Sequence, residues 1–372
     1  MSERANQHVI VVGAGIIGAS IAWHLVRDGA RVTVIDQHEP GGVATPCSFG
    51  WINSSYGNPK LYFDLRVESM QAWKELVAAR PGLPYRQTGS IYLHMDDHDG
   101  TSVDLEAFAK THAGWGYDIG IISGDDLRRR AANVRELPDV ALFAPQEAVA
   151  EGTETARLLI QDVTAAGGTL VTGTPVERLT TRSERVTGVV TAHGPVEGDE
   201  VVGAAGAETP DLVAGIAPAV PLDTPAGILL HTHPVPPLIP HLTLARGLHI
   251  RQRGDGSLLA GWDFTGKTGN DTPEVAADQL ATRIREVFTH SDDVEIADIT
   301  VGYRPTPQDG FPVVGRPGNI PGLTVAVMHS GITLAPIVGE AVAAFLRTGK
   351  MHAKLAPYGP GRFETGRSGA VG

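Results

Sequence analysis

The first residues able to do chemistry stand near the N-terminus. Val9-Ile10-Val11-Val12 is an apolar run that feeds Gly13-Ala14-Gly15-Ile16-Ile17-Gly18. An apolar-periodic helix follows, and Arg31-Val32-Thr33-Val34-Ile35 reads as a second strand ended by Asp36. Strand, glycine turn, helix, strand and acid in this order form the pattern of a dinucleotide site. Gly13 permits the tight turn, Gly15 lets the backbone approach a pyrophosphate at the helix N-terminus, and Gly18 lets helix and strand pack closely. Asp36 would accept a hydrogen bond from a ribose hydroxyl, which argues against a 2′-phosphate. The expected contacts are Gly13, Gly15, Ile16, Ile17, Gly18, Asp36 and the adjoining Gln37. A glycine-rich helix–strand contact in an ordinary α/β protein would account for Gly18 but not for the acid.

A second group of residues could handle a substrate. Arg304 offers two parallel N–H donors that match a carboxylate; the competing reading is an ion pair with Asp309. Tyr303 beside it should face the other way if the strand continues. His329-Ser330-Gly331-Ile332-Thr333 lies at a strand-to-helix junction, where the helix N-terminus favours negative charge, and His329 reads either as a catalytic group or as a hydrogen-bonded turn histidine. Cys47 is the one cysteine, which excludes an intrachain disulfide and fits a reducing compartment. His231 and His233 share one face of a strand, with His241 nearby. No carboxylate or cysteine pattern joins them, so no metal site is expected. Trp51, Tyr56 and Trp73 read as pocket or core residues.

These residues need elements to position them. Helices are expected over 61–79, where Leu61, Leu65, Met70, Trp73 and Val77 recur near helical spacing, and over 101–112, 124–132, 154–166, 274–288 and 335–347. Strands are expected over 87–94, 169–171, 175–179, 186–192, 200–204, 229–232, 248–252, 258–260, 294–303 and 323–328, with 169–204 reading as a small β-meander. Two interleaved lobes follow: residues 1–80, 145–218 and 304–358 as a cofactor-binding domain, 81–144 and 219–303 as a substrate-binding domain, and 359–372 as a frayed tail.

With 372 residues the chain can bury a large core in more than one lobe. Its 30 basic and 42 acidic residues give a net charge of −12 without any Lys/Arg run, which excludes nucleic acid as an expected partner. Its 45 glycines and 26 prolines suit a turn-rich α/β enzyme. Residues 1–7 lack the apolar core of a signal peptide, and no run reaches the ~18 apolar residues of a membrane span, so a cytoplasmic protein is expected.

Together these segments resemble the D-amino acid oxidase superfamily of flavoproteins, which includes glycine oxidase, sarcosine oxidase, D-amino acid dehydrogenase and the opine oxidase β-subunits. The resemblance runs through nearly the whole chain: the 13–18 turn with Asp36, the Gly41–Gly50 loop, Ala204-Ala205-Gly206-Ala207-Glu208-Thr209, the Gly302–Gly315 segment around Arg304-Pro305, and Met328-His329-Ser330-Gly331-Ile332-Thr333-Leu334-Ala335-Pro336. Met328-His329-Ser330 departs from the Gly-His-Gly of many relatives. The resemblance implies an α/β fold class: a Rossmann-type, glutathione-reductase-like FAD-binding domain interleaved with an α+β substrate domain on a mixed or antiparallel sheet. FAD would bind extended and non-covalently, its isoalloxazine ring covered by the substrate lobe.

By the same resemblance Cys47, Ser48, Val176, Ala205, Gly206, Arg304, Ser330, Gly331, Ile332 and Thr333 join the cofactor contacts. Arg304 grips a substrate carboxylate. His249 falls where relatives place an aromatic residue facing the substrate, and Trp262 and Asp263 where sarcosine-oxidase-like enzymes have active-site residues. The catalytic candidates are therefore Arg304, His329, His249 and Asp263. Cys47 lies near where dimethylglycine-dehydrogenase-like relatives attach FAD to a histidine, so a thioether stands as the alternative to a small residue packed against the ring. The implied reaction passes a hydride from the α-carbon of a small carboxylated amine to the flavin, and the imine hydrolyses in water. The substrate classes are D-amino acids, glycine, N-methyl or cyclic imino acids, and opines. The alternatives are a flavin-carrying subunit of a multi-subunit amine or opine dehydrogenase, a homo-oligomer or partner subunits being open, and an NAD-dependent dehydrogenase.

Overall fold

The computed structural model describes residues 7–96, 101–262 and 272–363. In chain order its α-helices are α1 Ile16–Arg27, α2 Lys60–Ala79, α3 Leu105–Gly114, α4 Gly124–Arg130, α5 Gly152–Ala165, α6 Thr209–Val213, α7 Pro273–Val287 and α8 Gly331–Thr348.

The apolar run at the start becomes the strand His8–Val12, buried along its whole length, as a strand covered on both faces must be. It lies inside a six-stranded sheet ordered Val313–Gly315, Leu323–Val327, Glu200–Gly203, His8–Val12, Arg31–Ile35, Thr169–Val171. Every pairing is parallel except that of the Val313–Gly315 edge. Val9 sits opposite Val32 on one side and Glu200 on the other. Helices α1, α5, α8 and α2 pack together around this sheet. The α1–α8 contact is close: the Ser20 hydroxyl donates to the Ala335 carbonyl at 2.7 Å.

The second sheet has eight strands, ordered Ile296–Tyr303, Ala226–Thr232, Leu258–Gly261, Leu248–Gln252, Leu242–Ala245, Ser90–Tyr92, Val140–Ala144, Gly120–Ser123. It is antiparallel except where Leu242–Ala245 runs parallel to Ser90–Tyr92. Helix α7 buries Ala277, Leu280, Ala281 and Ile284 with Leu230, Ile250 and Ala260 of this sheet. The fold is thus α/β with a mixed second sheet, and the chain passes between the two sheets more than once.

Several elements differ from expectation for visible reasons. The strand expected over 87–94 is cut to Ser90–Tyr92 because Gly89 takes φ +65. Only Val176–Arg182, Arg185–Thr191 and Gly194–Glu197 form a meander; Glu200–Gly203 leaves it for the parallel sheet. Leu242–Ala245 is a strand that no alternation in the sequence announced. Helix α8 starts four residues before the expected Ala335, with Pro336 inside it. It is 18 residues long and apolar enough by composition to cross a bilayer, contrary to the expectation that no segment is, but 67% of it is buried within the protein. Of the expected tail, residues 359–363 are described and are held in place: Arg362 forks onto Asp309 at 2.6 and 3.0 Å and also donates to the Tyr358 carbonyl; residues 364–372 lie outside the described residues.

Candidate active site

A cavity of about 1430 Å³ runs between the two sheets, above the ~300–1,000 Å³ typical of small-ligand pockets. The glycine turn lines it. Gly13 has φ +108, and a Cβ there would stand 2.3 Å from the Ala204 carbonyl oxygen; a Cβ on Gly18 would stand 1.9 Å from the Gly13 carbonyl oxygen. Contacts within the protein therefore force both glycines. Gly15 is different. Its φ of −66 suits any residue, and a Cβ would meet nothing closer than the Thr45 hydroxyl at 3.5 Å. Its missing side chain serves the cavity, where α1 presents its N-terminus. Asp36 stands beside it, its carboxylate accepting from the Ala14 N–H at 2.6 Å and the His38 N–H at 2.7 Å. Gln37 donates to Glu208 at 2.8 Å along the rim.

The cavity wall includes Gly13, Gly15, Ile16, Ile17, Asp36, Gln37, Cys47, Ser48, Val176, Ala205, Gly206, Arg304, His329, Ser330, Gly331, Ile332, Thr333 and His249. Gly18 lies behind the wall, packed on Gly13. Asp263 lies outside the described residues. Cys47 packs so tightly on Gly302 that a Cβ on that glycine would fall 2.3 Å from the cysteine's Cβ. Burial and the neighbouring Asp298 push its thiol above the usual range, which keeps it protonated.

Arg304, also on the wall, is half-buried and lays its guanidinium over Gly227, whose Cβ would stand 3.3 Å from Nη2. Arg362, rather than Arg304, is the cation forked onto Asp309, where it takes both carboxylate oxygens. The strand does not continue past Tyr303, Pro305 follows, and both Tyr303 and Arg304 line the cavity. His249 closes the wall with two aromatic rings, Trp51 at 6.4 Å and Tyr56 at 5.9 Å between centroids, edge to face. Burial holds the His249 pKa down to about 4. Trp51 is anchored from behind. Its indole N–H donates to Glu147 at 2.9 Å, and this fully buried carboxylate also accepts from Ser55, Tyr92 and Tyr117 at 2.8–3.0 Å. Burial pushes the Glu147 carboxyl up.

The N-terminus of α8 forms the third side. Pro336 cannot donate to the Ile332 carbonyl four residues back, and Trp73 of α2 supplies the missing donor at 2.9 Å. Ser69 donates to the Thr333 carbonyl at 2.6 Å. His329 faces the Gly310 carbonyl through Nε2 at 3.0 Å and the Ser330 hydroxyl through Nδ1 at 3.2 Å. A carbonyl only accepts, so Nε2 carries the hydrogen and Nδ1 accepts from Ser330. Burial, then the charges of Arg66 and Arg304, hold the His329 pKa down to about 4. Arg66 donates to the Ser330 hydroxyl at 2.7 Å.

Sequence reasoning missed Arg66 and Glu147. The signal for Arg66 was present: it falls on the apolar face of α2 with Tyr62, Met70 and Trp73, where a charge is out of place. Glu147 carried no such signal.

A family described as FAD dependent oxidoreductase (DAO) matches residues 8–345. Glycine oxidase of Pseudomonas aeruginosa is 25% identical, covering 97% of this chain and 99% of that protein. An opine oxidase subunit of Rhizobium meliloti is 23% identical over 95% of this chain and 97% of its own length. The solved structure of L-proline dehydrogenase from P. horikoshii superposes with a TM-score of 0.83 at 22% identity, over 97% of this chain and 99% of that one.

Proposed function

We infer the function from one fact: the chain belongs to the DAO family of FAD-dependent oxidoreductases. The family uses a flavin, and its members here are amino acid and amine oxidoreductases, so the NAD-dependent reading is set aside. We propose that this protein oxidises a small carboxylated amine, such as a D-amino acid, glycine, an N-methyl or cyclic imino acid, or an opine. The cavity supports this reading within the family, because the dinucleotide turn, Arg304 and the Trp51, Tyr56 and His249 rings all line the same space.

The residues present fit FAD. The open face of Gly15 and the α1 N-terminus suit a pyrophosphate, and Asp36 suits a ribose. Bound flavin supplies the hydride acceptor; the chain's own residues do the rest. Arg304 holds the substrate carboxylate by its fork. Trp51, Tyr56 and His249 wall the amine and exclude water. His249 and His329, both neutral near pH 7, present no charge that would repel the substrate's amine. His329 acts by position, since both its nitrogens are engaged.

Arg304→Ala should raise KM at least ~10-fold, from the loss of charge-assisted hydrogen bonds worth roughly 1.5–3 kcal/mol, with FAD content unchanged. Steady-state kinetics beside the visible spectrum measure both, and an unchanged KM defeats this role. FAD is held non-covalently in this proposal, the protonated Cys47 being packed on Gly302. Acid or heat denaturation should leave the yellow colour in the supernatant; colour retained on the protein would establish a covalent link. The similarity to an opine oxidase subunit supports a second reading, in which the chain carries flavin within a larger complex.

A further inference from the structure

Arg66 is a cation of the cavity wall to which the reaction as described gives no role. It sits on the buried face of α2, 6% exposed. Nε donates to the Asn53 carbonyl at 3.0 Å, Nη2 to the Asn53 side-chain oxygen at 3.0 Å, and Nη1 to the Ser330 hydroxyl at 2.7 Å. All three acceptors are neutral, and among the described residues no carboxylate forms an ion pair with it. The contrast within this protein is Arg251, 2% exposed, which takes Glu151 in a two-point fork at 2.6 and 3.1 Å. The buried carboxylate Glu147 gives its oxygens to Trp51, Ser55, Tyr92 and Tyr117 instead.

An arginine cannot shed its proton, and burying a charge without an opposite charge is costly. Such a cation is therefore set up for an anion that arrives later. Arg66 lines the cavity beside Ser330, immediately before α8, whose N-terminus also favours negative charge. A hydride carries two electrons and one proton, so a neutral ring that accepts one gains one unit of negative charge.

We propose that Arg66, acting beside the α8 N-terminus and through Ser330, is the fixed counter-charge for the negative charge the flavin gains on reduction, and so sets its reduction potential. The proposal rests on the FAD reading. Arg66 is a positioning residue in this sense, holding the Ser330–His329 pair as well as supplying charge.

The test compares purified holoprotein with Arg66→Lys and Arg66→Met, measuring FAD content, thermal stability, KM, flavin midpoint potential and the affinity of the oxidised flavin for sulfite, whose adduct leaves the ring negatively charged. Arg66→Met should lower the potential and weaken sulfite binding by roughly 10-fold or more. Arg66→Lys, which keeps the charge but not the fork on Asn53, should stay within a few-fold of wild type. If Arg66→Met does not fold, Arg66→Gln makes the same comparison. Unchanged potential and sulfite affinity in the uncharged variant overturn the proposal. So does an equal shift in both variants with a parallel loss of thermal stability, which marks a staple between α2 and α8, and so does an effect confined to KM, which marks a substrate carboxylate as the partner. A wild-type protein that takes up no FAD overturns the cofactor reading itself, and its missing visible bands identify that case.

Discussion

Among the titratable groups that line the cavity, two arginines, Arg66 and Arg304, and two histidines, His249 and His329, are the ones the proposed chemistry calls on. Both arginines are permanently cationic, and desolvation keeps both histidines neutral, with pKa values lowered to about 4. The sign of the pH effect follows. Neither histidine changes charge between pH 6 and 9, so neither gives kcat/KM a limb near 6.5. The rise of kcat/KM with pH should instead report deprotonation of the substrate's amine, and its apparent pKa should move when amines of different basicity are compared. A limb at pH 6–7 that stays fixed across substrates would return one histidine to the role of general base. At this scale the glycine turn, Asp36 and Arg304 stood out in the sequence because each residue type has few alternatives at its place in the pattern, and Gly13, Gly15, Asp36 and Arg304 line the cavity. Glu147 did not, because its partners Ser55, Tyr92 and Tyr117 lie 30 to 92 residues away; Arg66 stood out only as a charge on an apolar helix face, and its partner Ser330 lies 264 residues away.

At the scale of elements, α8 depends on α2. Pro336 leaves the Ile332 carbonyl without its helical donor, and the Trp73 indole completes it across the interface. Trp73→Phe keeps most of the apolar bulk and removes that donor. It should cost about 1–3 kcal/mol, read as a lower urea midpoint with an unchanged slope, and should weaken FAD retention, since Ile332 lines the cavity. An unaltered midpoint would show that solvent satisfies the carbonyl instead. The same pair explains a limit of sequence reading. A proline normally marks a helix start, and the helix was expected from Ala335, with Gly331 as a turn before it. Only the tertiary donor shows why the helix begins at Gly331. Leu242–Ala245 was missed for a related reason: its four residues are all buried, and its polar Thr243 does not alternate with them in exposure.

At the scale of the molecule, interleaving puts the site where no single segment could build it. The glycine turn comes from the start of the chain, Trp51 and Arg66 from the stretch around α2, His249 from the second sheet, and Arg304 and His329 from the return to the first. The order of motifs along the chain made this architecture readable, and family membership covers the same span. Substrate choice was not readable, because differences of one methylene amount to only ~1–3 kcal/mol.

A flavin in this cavity that accepts a hydride from a carboxylated amine stands at the centre of all these expectations. The most direct test is an anaerobic visible spectrum of the purified protein, titrated with D-amino acids, glycine, N-methyl amino acids, cyclic imino acids and opines. The expected result is a yellow protein whose band at ~450 nm bleaches with at least one of these classes, as a flavin does on accepting a hydride. A colourless protein that fails to take up added FAD would contradict it.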